Sequence, residues 1–403
     1  MMNGVTESLL APGRFQNWHQ WKQVIHGHES LALLGDELDR LGATRVLIVT
    51  TPSIANSDVL ASVEAAVGPR LAGVYADCRR GTPRPSVLDA TGVAHGVGAD
   101  ALVSVGGGSV VDTAKGVALC RSVNITTTAG FDAYRVGAQA AGFDSPQLGA
   151  PPMAIVALPT TLSGAEYTGM IAITDPVTDY RDPYRFDELA PITVLLDPAL
   201  TRATPDRLWA GTGVKSLSDS FEQYVAGAAG PALEPMLLRS VAWLCEYLAP
   251  SLVGDLDARL RCQISSWLTM FGTFNAASKV GIAAAMRHQL GMVHGIPHGE
   301  ATCPVLVEVA RRTTPDGRAG TALLAATDTL TPASAGGVGD TVAARFRTLV
   351  ASVGMPTTLS GFGLSRDDVR ALAARVANDF ANKQRTTKVW TEAEILELLE
   401  AAA

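Results

Sequence analysis

The sequence predicts an α/β N-terminal domain with a mostly parallel sheet, followed by an all-helical C-terminal domain. Three observations predict it. Through the first half, short apolar runs such as Arg45–Thr51 (RVLIVTT) and Met153–Leu158 (MAIVAL) alternate with segments of helical spacing. Such runs suit strands covered on both faces, as a parallel sheet between helical layers requires. After Asp197-Pro198 the strand signals stop, and long stretches of alanine, leucine and arginine run to the end. At 403 residues and 47% hydrophobic, the chain can bury the cores of two domains, read as 1–198 and 199–403.

The elements follow in order. Leu31–Leu41 has helical spacing, Arg45–Thr51 is a buried strand, Val59–Val67 is helical and Ala72–Ala76 is strand-like. Val87–Val97 is helical, Ala101–Val105 is a strand, a helix starts after Ser109, and Met153–Leu158 is again a strand. Met170–Thr174 and Ile192–Leu196 flank the turn-rich TDYRDPYRFDE and are expected to form a hairpin. In the second half, Ser365 with Asp368 and Thr391 with Glu394 are helix starts of the capping-box kind. Thr313–Gly339, rich in Gly, Thr and Pro at its ends, reads as surface connection.

Composition narrows the partners. A net charge of −7 argues against nucleic acid and anionic membranes. The five cysteines, Cys78, Cys120, Cys245, Cys262 and Cys303, have no CxxC spacing and suit free thiols in a reducing compartment. The first residues lack the apolar core of a signal peptide. The longest apolar candidate, around Ala276–Met292, is interrupted by Lys279, Arg287 and His288. The expectation is a soluble cytoplasmic protein.

The most informative stretch is Ala101–Lys115, ALVSVGGGSVVDTAK. A strand stops at Gly106, Gly107 and Gly108, and a helix opens at Ser109. Glycines at a helix N-terminus expose backbone N–H groups with no Cβ in the way, which suits a pyrophosphate. The pattern is neither a P-loop nor the spaced-glycine dinucleotide fingerprint, and a ligand-free tight turn is the alternative. Thr160, Thr161 and Ser163 form a hydroxyl-rich loop after a buried strand. They are suited to hydrogen-bonding a nucleotide, or to making an ordinary turn.

These motifs, taken in order, carry a resemblance. GGGSVVDTAK is followed by ALPTTLSGAE at Ala157–Glu166, DPAL at Asp197–Leu200 with Pro205, GTGVKSLSDSFEQYV at Gly211–Val225, and MRHQLGMVHGIPHGEA at Met286–Ala301. The chain resembles the iron-dependent (group III) alcohol dehydrogenases over nearly its whole length. It looks most like their maleylacetate reductase branch, through Val49–Pro52 (VTTP), Arg181-Asp182-Pro183 and His298–Thr302 (HGEAT). The resemblance implies NADP(H) or NAD(H) on the α/β domain. Gly106, Gly107, Gly108 and Ser109 would hold the pyrophosphate, and Asp112 would sit at the nicotinamide end. Thr160, Thr161 and Ser163 would contact adenine, ribose or phosphate. A carboxylate after the second strand commonly favours NAD. Here the loop is Thr50-Thr51-Pro52, so NADP(H) is permitted and NAD(H) remains open. Arg79 and Arg80 follow the next strand and either contribute or are surface charge.

The chain departs from its family at the metal. The family's aspartate, the histidine four residues on and two later histidines fall here on Lys215, Asp219, Ala284 and His298. At an effective dielectric of about 20, an ammonium about 4 Å from a divalent ion is repelled by roughly 8 kcal/mol. No catalytic metal is expected; the alternative is a new site of His288, His294 and His298 with Asp219. Lys215 either polarises a substrate carbonyl, forms a Schiff base, or pairs with Asp219 to fill an abandoned pocket. His288 falls where the family relays a proton near the nicotinamide, although a structural histidine reads equally well. His298 would bind substrate or act as a donor, and Arg287 attracts a carboxylate or lies on the surface.

The expected function is a metal-independent NAD(P)H-dependent reductase of a small carbonyl compound, such as a keto acid like maleylacetate. The small molecule would sit in a cleft closed by the helical domain. A lyase, cyclase or imine-handling enzyme on a repurposed scaffold, and a non-catalytic nucleotide-binding protein, are the alternatives. A homodimer through the N-terminal sheet or the hairpin is the expected assembly.

Overall fold

The computed structural model describes residues 13–16, 23–136, 148, 152–226, 230–275, 280–331, 336–379 and 381–403. The reading of the N-terminal residues as free of a leader therefore lies mostly outside the described residues. The chain forms two compact units, Met1–Thr204 and Pro205–Ala403.

The first unit is built on a seven-stranded sheet, in the order β1-β2-β9-β6-β5-β3-β4. Its strands are β1 (Gly13–Gln16), β2 (Gln23–His26), β3 (Val46–Val49), β4 (Leu71–Tyr75), β5 (Ala101–Gly106), β6 (Ala154–Pro159) and β9 (Thr193–Leu196). Only β1 pairs antiparallel, to β2, and the other six strands run parallel. The helices are α1 (Leu34–Arg40), the short α2 (Pro52–Ala55), α3 (Asp58–Val67), α4 (Arg84–Gly96) and α5 (Gly108–Val123).

The apolar runs are explained by burial on both faces. Successive strand residues point to opposite sides. Leu47, Val49, Leu102 and Ile155 pack with Val87, Ala90, Val110 and Val117 of α4 and α5. Val46, Ile48, Val103 and Val105 pack with Leu34 and Leu38 of α1 and Val59 and Val63 of α3.

The expected hairpin is corrected. Met170–Asp175 (β7) pairs antiparallel with Tyr180–Arg185 (β8), which lies inside the stretch read as a turn. Ile192–Leu196 instead supplies β9, a central parallel strand. Polarity disguised β8: its inward residues are Asp182 and Tyr184, and the buried Arg84 meets Asp182 at 2.8 Å. Pro183 sits opposite Ala172 in a two-stranded sheet, where a missing N–H is tolerated.

The second unit is helical. Its helices are α6 (Asp206–Val225), α7 (Gly230–Leu252), α8 (Leu256–Asn275), α9 (Ile282–His294) and α10 (His298–Thr313). They continue as α11 (Gly317–Ala326), α12 (Val338–Ser352), α13 (Arg366–Asn378) and α14 (Glu392–Ala401). Both expected capping boxes form, Ser365 with Asp368 and Thr391 with Glu394. The stretch read as connection holds α11, whose Leu323 is fully buried; its glycine- and proline-rich ends masked a short alanine–leucine helix. All five cysteines are free and buried. Among the described residues, no helix is long and apolar enough to cross a membrane.

Candidate active site

In the first unit, β5 delivers the chain into a turn that only glycine can make. Gly106 has φ +155°, and a Cβ there would stand 2.5 Å from Val110 Cγ2. A Cβ on Gly107 would lie 2.9 Å from Thr161 Cγ2, so the missing side chain lets the Thr160–Ser163 loop close against the turn. Thr160 N–H donates to the Gly106 carbonyl at 3.0 Å, and Thr160 O accepts from Thr204 Oγ1 at 2.7 Å. Gly108 approaches Ser163, whose Oγ would be 3.2 Å from an added Cβ. The N-cap Gly107 supplies no side-chain cap, so the first turn of α5 offers its N–H groups and the positive end of its dipole. Thr161 Oγ1 is buried without a hydrogen-bond partner, an atom that a ribose or phosphate oxygen would satisfy. These residues fit a dinucleotide.

The neighbouring groups are more committed. Ser109 Oγ accepts the Gly81 N–H at 3.2 Å, tying the turn to the loop after β4. Thr51 Oγ1 caps α2 by accepting from Ile54 N and bonds Ser53 Oγ at 2.9 Å. Thr50 Oγ1 donates to Val105 O at 2.8 Å. Arg79 pairs with Asp77 at 2.8 Å, both exposed. Asp112 is buried and ties α5 to the hairpin: Oδ2 accepts from Ala172 N at 3.4 Å and Arg181 at 3.3 Å. Fully buried Lys115 donates to Ala165 O at 2.7 Å and Met170 O at 2.9 Å. Burial pulls its ammonium pKa down, and Asp112 opposes that.

In the second unit, α6 and α9 bring four ionisable groups together. Lys215 Nζ lies 2.8 Å from Asp219 Oδ2, one helical turn away. Arg287 Nη2 lies 2.8 Å from Asp219 Oδ1. Burial pushes the Asp219 carboxyl up, but Arg287 and then Lys215 hold it below the usual carboxylate range. Glu222, the next buried carboxyl on α6, is pushed by burial up to about 7, against the Ala283 N–H it accepts at 2.9 Å and the charge of Arg287. The reading of Arg287 as a surface residue is corrected: it is 9% exposed and is the second cation on Asp219.

The histidines sit on α9 and α10. His288 Nδ1 is 2.7 Å from Asp379 Oδ2, and its ring meets His298 edge-on with centroids 6.3 Å apart. Gln289 Nε2 donates to the same Asp379 oxygen at 2.6 Å. His298 opens α10, packed so tightly that a Cβ on Gly291 would come 3.0 Å from its Cδ2. Gly295, in the left-handed region, ends α9 before His298. Among the described residues, no group of three or more His, Cys, Asp and Glu is placed to hold a metal ion.

Sequence reasoning placed Lys215 beside Asp219 and named His288, but it gave no sign of the Asp379 and Gln289 that the structure sets against that histidine. Asp379 lies 91 positions from His288, and no local pattern marks it. Arg287 did leave a trace, as the one arginine or lysine within α9.

Comparison with known proteins matches both units in order. Residues 22–198 match the iron-containing alcohol dehydrogenase model, and 209–403 match the C-terminal model of the Fe-containing alcohol dehydrogenase family. A maleylacetate reductase of Pseudomonas sp. (strain P51) is 27% identical over 350 residues, covering 86% of this chain and 86% of that protein. An NAD-dependent methanol dehydrogenase of Bacillus methanolicus is 27% identical over 390 residues, covering 94% of this chain and 97% of that protein. The structure of a sulfoacetaldehyde reductase from Bifidobacterium kashiwanohense shares the fold. It has a TM-score of 0.81 at 20% identity, covering 97% of this chain and 99% of that one. With a glycine turn fit for a dinucleotide in one unit, charged and imidazole groups gathered in the other, and both halves matched, the chain belongs to the iron-containing alcohol dehydrogenase family as an NAD(P)-dependent oxidoreductase.

Proposed function

We propose that this protein is a metal-independent NAD(P)H-dependent reductase of a small carbonyl compound, a keto acid such as maleylacetate being the substrate class suggested by its relatives. The observation that carries this reading is the Lys215–Asp219–Arg287 bridge. Of the four positions that the resemblance assigns to the family's metal, Lys215 brings a positive charge and Ala284 brings no donor. Each oxygen of Asp219 already takes a cation at 2.8 Å. A divalent ion would have to displace both and sit beside two positive charges, so this donor set does not fit one.

The chemistry then rests on side chains. When bound along Gly106–Ser109 and Thr160–Ser163, the reduced dinucleotide supplies a hydride to the carbonyl carbon. Lys215 donates a hydrogen bond to the carbonyl oxygen and stabilises the charge that gathers there. Asp219 anchors the ammonium from one helical turn away, and Arg287 balances Asp219. His288 hands over the proton that completes the alcohol. His298, against the His288 ring, helps to hold substrate.

The test is a fluorescence titration of chelator-treated protein, shown metal-free by elemental analysis, with NADPH and NADH, followed by a carbonyl screen. Tight binding of either cofactor and turnover without metal are expected. Turnover that appears only when iron or zinc is restored would overturn metal independence.

A further inference from the structure

We propose that Asp379 is the positioning residue for His288: it holds the ring by Nδ1–H, so that Nε2 is the atom that hands the proton to substrate. This rests on the reading of His288 as proton donor.

Asp379 immediately follows α13 and is 5% exposed. Three donors converge on its carboxylate. His288 Nδ1 at 2.7 Å and Gln289 Nε2 at 2.6 Å share Oδ2, and Ala381 N–H reaches Oδ1 at 2.8 Å. Burial alone would raise its pKa, but the bonds from His288 and Gln289 hold it below the ordinary range. An ionised carboxylate only accepts, so Nδ1 must carry the hydrogen. The other neutral tautomer would set two lone pairs against each other across 2.7 Å. Gln289 also prevents the carboxylate from swinging aside, because its neighbouring side chain on α9 grips the same oxygen. The ring is thus pinned at one nitrogen and steadied by the edge of His298, while 31% of the side chain stays accessible.

The step balances. As the carbonyl carbon takes the hydride, the C=O π pair moves onto oxygen and takes the proton from Nε2 of the imidazolium. The ring is left neutral, its remaining hydrogen still on Nδ1 and bonded to Asp379. Solvent returns the lost proton. Asp379 takes no part in the transfer itself, so it acts on the reaction only through His288.

The experiment is histidine-ring ¹⁵N spectroscopy of the full-length protein, with steady-state reduction of maleylacetate by NADPH alongside. In the wild type, His288 should show a hydrogen-bonded Nδ1–H that disappears in Asp379→Asn. That variant should lose about 100-fold in kcat with KM and NADPH affinity changed by less than about 2-fold, and Asp379→Glu should regain part of the loss. A wild-type ring carrying its hydrogen on Nε2 alone overturns the proposal without any variant having to fold. So does an Asp379→Asn protein with unchanged kcat. Full turnover in His288→Gln sinks instead the proton-donor reading on which the proposal rests, and the ring spectrum stands apart from that result.

Discussion

At the scale of single residues, Asp219 decides the character of the second unit. It is one carboxylate shared by two cations, and the proposed reduction sets the net positive charge of the three where substrate oxygen gathers negative charge. Lys215→Ala should leave NADPH binding intact and lower turnover by about 100- to 1,000-fold, as when a preorganised donor to an oxyanion is removed; stopped-flow binding with steady-state rates checks it. Arg287→Met leaves Asp219 with one partner instead of two. It should cost about 1–3 kcal/mol of stability, read by urea denaturation. Glu222 predicts a pH dependence. Its folded pKa of about 7 lies above the ordinary 4.5, so the folded state holds a proton that the unfolded state has released. Stability therefore falls as pH rises through that window. Glu222→Gln should remove this slope, and parallel wild-type and variant curves between pH 4.5 and 7 would count against it.

At the scale of elements, short-range chemistry sets the ends, and close approach of backbones sets the packing. The capping box at Thr391 is legible in sequence because both partners lie within one turn. Thr391→Ala should cost about 1 kcal/mol, seen in the melting temperature. The glycine turn behaves differently, because its glycines are required by what stands opposite. Gly107→Val would drive a side chain into Thr161, so NADPH affinity should fall steeply while the far-UV spectrum stays unchanged. The hairpin β7–β8 is held by ion pairs to buried partners: Arg84 reaches Asp182, and Asp112 grips Arg181. Its polarity misled the sequence reading because a buried charge is affordable only with a partner, and the partners come from distant segments.

At the scale of the whole molecule, the proposed reduction draws on residues of both units. In that reading the first offers N–H groups and hydroxyls to a dinucleotide, and the second offers cations and imidazoles to a carbonyl. A saturating cofactor must stabilise the fold by mass action, by about 2.7 kcal/mol at 100 times its dissociation constant. A melting temperature that rises with NADPH or NADH and ignores chelator is the expected outcome. A fall on chelation would show that a metal supports the fold.

By itself the sequence determined the two-part plan, most of the central strands, the glycine turn and the placing of Lys215 one helical turn before Asp219. These are written locally, through periodicity, capping residues and short spacings that any chain must obey. The order of the sheet was decided only in three dimensions. There Thr193–Leu196 entered the core between β2 and β6, and a polar segment became β8 against Met170–Asp175. Tertiary structure likewise decided that Arg287 is buried on Asp219 and that Asp379 holds His288. Ion pairs and ring contacts join residues far apart in the chain, and their partners are chosen by packing, for which a linear sequence carries no spacing rule.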